Sequence, residues 1–446
     1  MSPVGCRGAK SPCRRPHARE CWIRDATAAR RAAFQILEAV RSGATFQTAR
    51  DQAFGRLSDR DRRLAHELAA GVLRHRARLD GGLELATADP RLHDILRLGA
   101  YQLRLLARVP PYAAVSTSVA LAREVAGEPA ARYVNHTLRH LSRAPAPAPE
   151  GVATHPRWLV ARWVHQFGRE EARRLIAWND TPPPLTLQPA RWDRSTLEHR
   201  LKAAGFGVRE APFGAGLEVL RTEAPGAMRP GSLPGFAEGG FIVQDPAHAL
   251  VCRYAAVPPG GRVADLCAAP GGKAVMLERL GARVVAADRR RERSGRLAET
   301  ARRAGVAIRV VLADLVSSPF GTGALDAVLV DAPCSATGTM RRHPDARWRL
   351  SPRTIARAAE RQRALVAAAA LLVRPGGLLI YATCSLEPEE NGEIVNEFLA
   401  RHPAFERAPA AGAVPAALVA ANGDFQTLPG RQATDGAYAA RLVRTR

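Results

Sequence analysis

Arg262-Val263-Ala264-Asp265-Leu266-Cys267-Ala268-Ala269-Pro270-Gly271-Gly272-Lys273 is the stretch on which the reading of this chain turns. A short apolar run reaches an aspartate, passes through a Pro-Gly-Gly turn and opens into helical text. Glycines at such a turn let backbone approach a ligand closely and leave N–H groups free at a helix start. The pattern is not G-x-G-x-x-G, so the dinucleotide fingerprint is absent. Comparable runs follow at Val284–Asp288, Ile308–Asp314, Ala327–Asp331 and Leu378–Thr383, most of them separated by helical stretches such as Arg289–Ala304 and Pro352–Val373. Alternation of this kind predicts a parallel sheet with helices on both faces. Ligands bind at the carboxyl ends of such strands. The residues expected there are Asp265, Asp288, Asp314, Asp331 and Cys384.

An acidic residue at the end of the second strand, here Asp288, typically binds ribose hydroxyls. Asp314, at the end of the third, is placed to accept from an adenine amino group. Carboxylates at both positions favour an uncharged nucleoside cofactor such as S-adenosylmethionine over a phosphorylated one. Helix capping is the competing role for each aspartate taken alone. Lys273 is one of only three lysines in the chain, with Lys10 and Lys202. Ammonium and guanidinium are not interchangeable, and a lysine directly after two glycines points to contact with cofactor or catalytic groups. Two further segments, Asp331-Ala332-Pro333-Cys334 and Ala382-Thr383-Cys384-Ser385, each set a cysteine where a buried strand opens into a cleft. Two thiols beside a glycine-rich loop indicate covalent chemistry, although a buried apolar role is the commonest fate of a free cysteine.

Charge narrows the partner. The chain has 65 Lys and Arg against 42 Asp and Glu, a formal charge of +23 and a sequence pI of about 11.1. That balance fits a polyanion such as nucleic acid, though an arginine bias of this kind also accompanies a GC-rich genome. No uncharged apolar run approaches the ~18 residues of a transmembrane helix, and the first residues lack the apolar core of a signal peptide. Seven cysteines at no disulfide-like spacing fit a reducing, cytoplasmic setting. Cys6, Cys13, His17 and Cys21 match no usual zinc spacing, and no metal is expected.

Along the chain, residues 1–24 are expected as a disordered leader and 25–143 as an all-α domain, with apolar positions at three- and four-residue steps (Phe34, Leu37, Leu64, Leu68, Val72). The Ala-Pro repeats of 144–151 read as an extended linker. Residues 152–239 read as a small α+β domain, with one helix over Trp158–Trp178 and then a β-α-β-β unit. Residues 240–446 hold the parallel sheet.

Asp265–Lys273, Asp331–Gly338, Arg341–Trp348, Tyr381–Asn391, Gln244–Pro246 and Asp435–Leu442 resemble the motifs of the Sun-type RNA cytosine-C5 methyltransferases. Asp61–Leu68, Leu98–Leu103 and Val134–Arg139 are similar to the NusB-like RNA-binding domain fused to one bacterial branch of that family, the branch acting on small-subunit ribosomal RNA. The resemblance covers nearly everything after the leader. It implies a Rossmann-like catalytic domain using S-adenosylmethionine, held by Cys267, Ala268, Ala269, Pro270, Gly271, Gly272, Lys273, Asp288, Arg293, Asp314 and Asp331. It implies Cys384 as nucleophile, Cys334 in elimination and release of RNA, and Asp331 against cytosine N3, with Lys273 beside them. Sequence alone leaves the two cysteines unordered, because in DNA cytosine methyltransferases the Pro-Cys residue attacks. Arg341, Arg342, His343 and Arg347 with Trp348 combine charge and stacking surface suited to a splayed nucleotide, or form a solvated basic loop. Two competing readings are the same chemistry on transfer RNA and a non-catalytic NusB-like antitermination factor. If phosphate contacts supply most of the affinity, binding to deproteinised small-subunit rRNA falls steeply between low and high salt. Fluorescence anisotropy across a salt series checks this, and a flat series would remove the electrostatic role.

Overall fold

The computed structural model describes residues 17–55, 57–83, 85–144, 154–220, 230–317, 319–409 and 412–446. The chain divides into two compact units, Met1–Ala153 and Thr154–Arg446. Most of the expected leader, with Cys6 and Cys13, and all but the first residue of the Ala-Pro linker lie outside the described residues. No described helix is long and apolar enough to cross a membrane.

The first unit is all-α: α1 (His17–Arg41), α2 (Phe46–Ala53), α3 (Asp59–Asp80), α4 (Pro90–Leu105) and α5 (Pro111–Arg143). Helix α1 begins at His17, so residues 17–24, expected in the leader, belong to the first helix instead. Ile36 and Leu37 of α1, Leu68 and Val72 of α3, Ile95 and Leu98 of α4, and Val134 and Leu138 of α5 are buried. Their three- and four-residue spacing puts each set on one helix face. Two glycines allow the helices to approach. A Cβ on Gly71 would lie 2.0 Å from Tyr101 Cζ, and one on Gly99 would lie 2.4 Å from Leu138 Cδ1.

The second unit starts with α6 (Arg157–Phe167) and α7 (Arg169–Asn179). The apolar spacing predicts one helix over Trp158–Trp178; Gly168, at φ 83° and ψ 160°, breaks it in two. Next come β1 (Leu185–Pro189), α8 (Arg194–Ala203), β2 (Val208–Glu210), β3 (Leu217–Val219) and β4 (Phe241–Val243). They form an antiparallel sheet of order β2-β3-β1-β4. Strand β4 lies past residue 239, the expected end of the middle domain, yet pairs with β1 through Gln188 and Ile242. Three residues are too short to show an alternating pattern, which is why β4 is invisible in the sequence.

The larger sheet and its helices follow: α9 (Pro246–Ala255), β5 (Arg262–Leu266), α10 (Gly272–Arg279), β6 (Arg283–Asp288), α11 (Arg291–Ala304), β7 (Arg309–Leu312), β8 (Leu325–Asp331), α12 (Ala346–Arg349), α13 (Pro352–Ala370), β9 (Val373–Thr383), α14 (Gly392–Arg401), β10 (Phe405–Arg407), β11 (Phe425–Thr427) and β12 (Ala437–Arg444). The order is β10-β12-β9-β8-β5-β6-β7, with β11 also on β12. The five strands from β9 to β7 run parallel, while β12 and its partners are antiparallel. Along β8, Ala327 and Leu329 pack into one core and Val328 and Val330 into the other. Burial on both faces makes the strand read as an unbroken apolar run. Strand β7 stops at Leu312, so Asp314 sits two residues beyond it rather than at its end.

Gly99→Val forces a branched side chain onto Leu138 and is expected to cost the helical unit about 1–3 kcal/mol. A urea melt followed by helical circular dichroism checks this, and an unshifted midpoint would contradict the close packing.

Candidate active site

Strand ends supply most of the site. Beyond β5 the chain turns sharply: Cys267 has φ 63° and Gly271 φ 107°. A Cβ on Gly271 would meet Leu297 Cδ1 of α11 at 2.7 Å, so this position requires glycine on both counts. Gly271 caps α10, and Gly272 and Lys273 are its first residues. A cleft lies alongside, lined by residues including Cys267, Asp288, Arg293, Asp314 and Phe320. Asp288 ends β6 and is buried. Its Oδ1 accepts the Arg290 N–H at 3.0 Å, whereas Oδ2 has no hydrogen-bond partner and lies 3.4 Å from Arg293 Nε. Arg293 also donates to the Ala269 carbonyl at 2.8 Å, tying α11 to the glycine loop. Asp314 closes a turn by accepting the Val316 N–H at 3.1 Å. An open buried carboxylate oxygen beside the cleft fits a nucleoside carrying donor hydroxyls, and it would repel a phosphate at the same place. The residues present therefore fit S-adenosylmethionine. Among the expected cofactor residues, Ala268, Ala269, Pro270 and Gly271 form the loop between Cys267 and α10.

Lys273 and Asp331 belong to a second cluster. Lys273 Nζ donates to Asp331 Oδ2 at 2.7 Å and to His248 Nδ1 at 3.0 Å. Burial pushes the lysine down, but the Asp331 charge and hydrogen bond outweigh it and leave its pKa above the ordinary value. Burial, then the Lys273 charge, holds His248 well below its ordinary value, so the ring is neutral and accepts from the ammonium. The Asp331 side chain stays about one-third exposed and faces the site. Asp265 is fully buried with neither carboxylate oxygen hydrogen-bonded. Burial first, and the Asp331 charge second, push it up to about 8.

Cys334 and Cys384 come together at the ends of adjacent strands. Their Sγ atoms are 3.3 Å apart, beyond the ~2.05 Å of a disulfide, and both are free and half-buried. Thr339 Oγ1 donates to Cys384 Sγ at 3.9 Å. The hydrogen bond to Cys384, then burial, raises Cys334 well above the ordinary thiol value. Either thiol can be the donor in this contact. The Cys384 segment is braced from outside by α6: Gln166 donates to the Leu386 carbonyl at 2.8 Å, Trp163 Nε1 to Glu387 at 3.2 Å, and Arg162 to Glu387 and Glu389.

The basic segment is different from its expected form. Arg347 has no exposed surface; it pairs with Asp180 at 2.9 Å and donates to the Asn179 carbonyl at 3.0 Å. That burial takes it out of the set offered to RNA and makes it an anchor for α7. Arg342 bridges Asp245, at 2.7 Å, and Asp435, at 2.5 Å. It joins the N-cap of α9 to the loop before β12. Arg341 lies 4.0 Å above the Trp178 ring and donates to the Pro182 carbonyl at 2.7 Å. Of the four, His343 alone is well exposed. Charge in a sequence does not distinguish a solvated arginine from a buried one with a partner far away. His248 and Gln362 gave no signal: His248 is an isolated histidine in a mostly apolar helix, and Gln362 is one of several polar residues in α13, flanked by Arg361 and Arg363. Glu390 lay inside the quoted Tyr381–Asn391 motif without an assigned role.

Sheet order, glycine turn and acidic strand ends define a class, the S-adenosylmethionine-dependent methyltransferases. Residues 256–443 match the model described as 16S rRNA methyltransferase RsmB/F, residues 27–143 the NusB family, and residues 155–224 the ferredoxin-like domain of RsmF/B-like methyltransferases. Ribosomal RNA small subunit methyltransferase B of Klebsiella pneumoniae subsp. pneumoniae is 33% identical over 436 residues, 93% of this chain and 97% of that protein. Its counterpart in Vibrio cholerae is 34% identical over 428 residues, 92% and 96% of the two chains. The chain belongs to the 16S rRNA methyltransferase RsmB/F family. Its fold is similar to that of PH0851, with a TM-score of 0.78 at 24% identity over 94% of this chain and 98% of that one. It is also similar to NSun6 from Pyrococcus horikoshii, solved with SFG, with a TM-score of 0.57 at 20% identity over 65% and 98%.

Asp265 generates a pH dependence. With a folded value raised to about 8 from 3.8, its contribution to stability is full below the unfolded value and is lost as pH rises through 8. Wild type should therefore lose Tm relative to Asp265→Asn between pH 5 and pH 9. A difference that does not vary with pH would show that Asp265 is ionised throughout.

Proposed function

We propose that this chain methylates C5 of a cytosine in small-subunit ribosomal RNA, with Cys384 as nucleophile and Cys334 as its partner in elimination. The observation that carries the reading is the pair of thiols 3.3 Å apart, on the loops after β8 and β9, with the Lys273-bound Asp331 closing β8. Cytosine C5 is a poor nucleophile on its own. Addition of the Cys384 thiolate to C6 forms an S–C bond and moves the C5=C6 electron pair onto C5. Asp331, hydrogen-bonded by Lys273, would share a proton with cytosine N3 and so stabilise the adduct. S-adenosylmethionine, when bound, supplies an electrophilic methyl group. Asp288 and Asp314 would hold its ribose and adenine, and the Cys267–Gly272 loop would lie along it. To finish, a base takes the C5 proton, the C5=C6 bond re-forms and the Cys384 sulfur leaves.

The thiolate is the form that adds to C6, and the match of Cys384 to the Thr-Cys motif supports this order of the two thiols. The names of the relatives, ribosomal RNA small subunit methyltransferase B, support the ribosomal substrate. The NusB-family segment fits a role in holding RNA through phosphate contacts that position rather than specify. A cytosine within a helix must be extruded to reach the thiols, which favours RNA met before full ribosome assembly, in the cytoplasm.

Labelled S-adenosylmethionine and deproteinised small-subunit rRNA test this, with transfer RNA and duplex DNA as parallel substrates. Wild type should label cytosine C5 in rRNA. Cys384→Ala should lose transfer by at least about a thousandfold, and Cys334→Ala should accumulate an RNA adduct that survives denaturation. Transfer retained by Cys384→Ala, with Cys334→Ala inert and adduct-free, would reverse the roles. Preferential labelling of tRNA would replace the substrate.

A further inference from the structure

Each reactive cysteine is followed by a serine, and both serines end on one carboxylate. Glu390 has no exposed surface. Its Oε1 accepts the Ser335 backbone N–H at 2.8 Å and Gln362 Nε2 at 3.1 Å. Its Oε2 accepts the hydroxyls of Ser335 and Ser385. The two hydroxyls are themselves 3.1 Å apart. Gln362, fully buried in α13, also donates to the Pro333 carbonyl at 3.0 Å. The Glu390 backbone is fixed in turn, its carbonyl accepting from Tyr381 OH of β9 at 2.6 Å.

We propose that Glu390 is a positioning residue that locks the loops of Cys334 and Cys384 together and so sets the distance between the two thiols. The placement leaves few alternatives. Burying a carboxylate is costly unless its oxygens are satisfied. Here all four donors come either from the serines that follow the two cysteines or from the glutamine that holds Pro333. The charge touches neither the cofactor cleft nor solvent. Backbone bonds flank the two loops, from Ala332 N–H to the Ala382 carbonyl and from Gly338 N–H to the Cys384 carbonyl, and Cys334 lies in the stretch between them. The side-chain clamp refines the position of that stretch against the Cys384 loop. The reaction needs both thiols around one pyrimidine ring, and errors of about 1 Å in such arrangements cost about a hundredfold in rate. This inference rests on the two-cysteine reading for its catalytic meaning, but the clamp is measurable without methyl transfer.

Diamide, a diazene, reads the thiol distance directly. One thiolate adds to its N=N bond. The second attacks that sulfur, forming the disulfide and releasing the hydrazine that carries the two electrons. In the full-length protein, peptide mapping should find a Cys334–Cys384 cross-link formed rapidly. Glu390→Ala should slow it by at least about tenfold while S-adenosylmethionine binding by calorimetry is unchanged. Glu390→Gln, which keeps most hydrogen bonds, should restore the rate to within about threefold. It should also lower kcat for methyl transfer less than Glu390→Ala does, with KM unchanged in both. Cross-linking at the wild-type rate in Glu390→Ala overturns the proposal. If that variant does not fold, Ser335→Ala and Ser385→Ala carry the test: slower cross-linking in both supports the clamp, and wild-type rates in both overturn it. Wild type that cross-links in a Glu390-dependent way but labels no cytosine would sink the functional reading and leave the clamp standing.

Discussion

Two backbone hydrogen bonds govern the chemistry of this molecule. Ala332 N–H to the Ala382 carbonyl, at 2.8 Å, carries the pairing of β8 and β9 one residue past β8. Gly338 N–H to the Cys384 carbonyl, at 2.9 Å, brings the chain back against β9. Between those points the Pro-Cys segment has to loop out and return, and it passes the Thr-Cys segment as it does so. The return is tight: a Cβ on Gly338 would fall 2.8 Å from both the Cys384 carbonyl and the Gly436 backbone. Parallel neighbours in the sheet are thus converted into facing thiols by backbone geometry, and the side chains refine what the strands already impose.

The ionic side of the site follows a different rule. Lys273 sits between a neutral imidazole and a carboxylate, and nearby Asp265 is buried without any hydrogen-bond partner on its side chain. With one ammonium among these groups, local charge balance favours a single ionised aspartate. Asp265 is the one that takes up a proton: burial first, and the neighbouring Asp331 charge second, push it up to about 8.

Strand ends were legible in the sequence because burial on both faces leaves few places for polar residues, and Asp288, Asp331 and Cys384 stood out for that reason; Asp265, expected at an end, instead lies inside β5, paired and fully buried. Asp314 was displaced by two residues because β7 is short and at the sheet edge, where apolar content no longer marks the last paired residue. The basic Arg341–Trp348 segment misled for the opposite reason. Arg347 and Arg342 find their acids at Asp180, Asp245 and Asp435, far away in the chain, and no local pattern reveals a partner at that separation. Gly168 shows the same limit at the level of helices: an apolar face continued on both sides, and one glycine with positive φ split it.

Strand β12 lies between β9 and β10 in the sheet, although both precede it in the chain. Its lead-in residues, Asp435 and Gly436, pack against Arg342 and Gly338 beside the thiols. During synthesis, β9 would emerge with one edge bare and its cysteine loop unsupported until residues 437–444 had cleared the exit tunnel. Domains fold as units as they emerge, and here the unit closes from its latest segment inward. A chain cut short before β12 would expose a long apolar strand edge, making it a candidate for aggregation and disposal rather than a thiol enzyme with reduced activity.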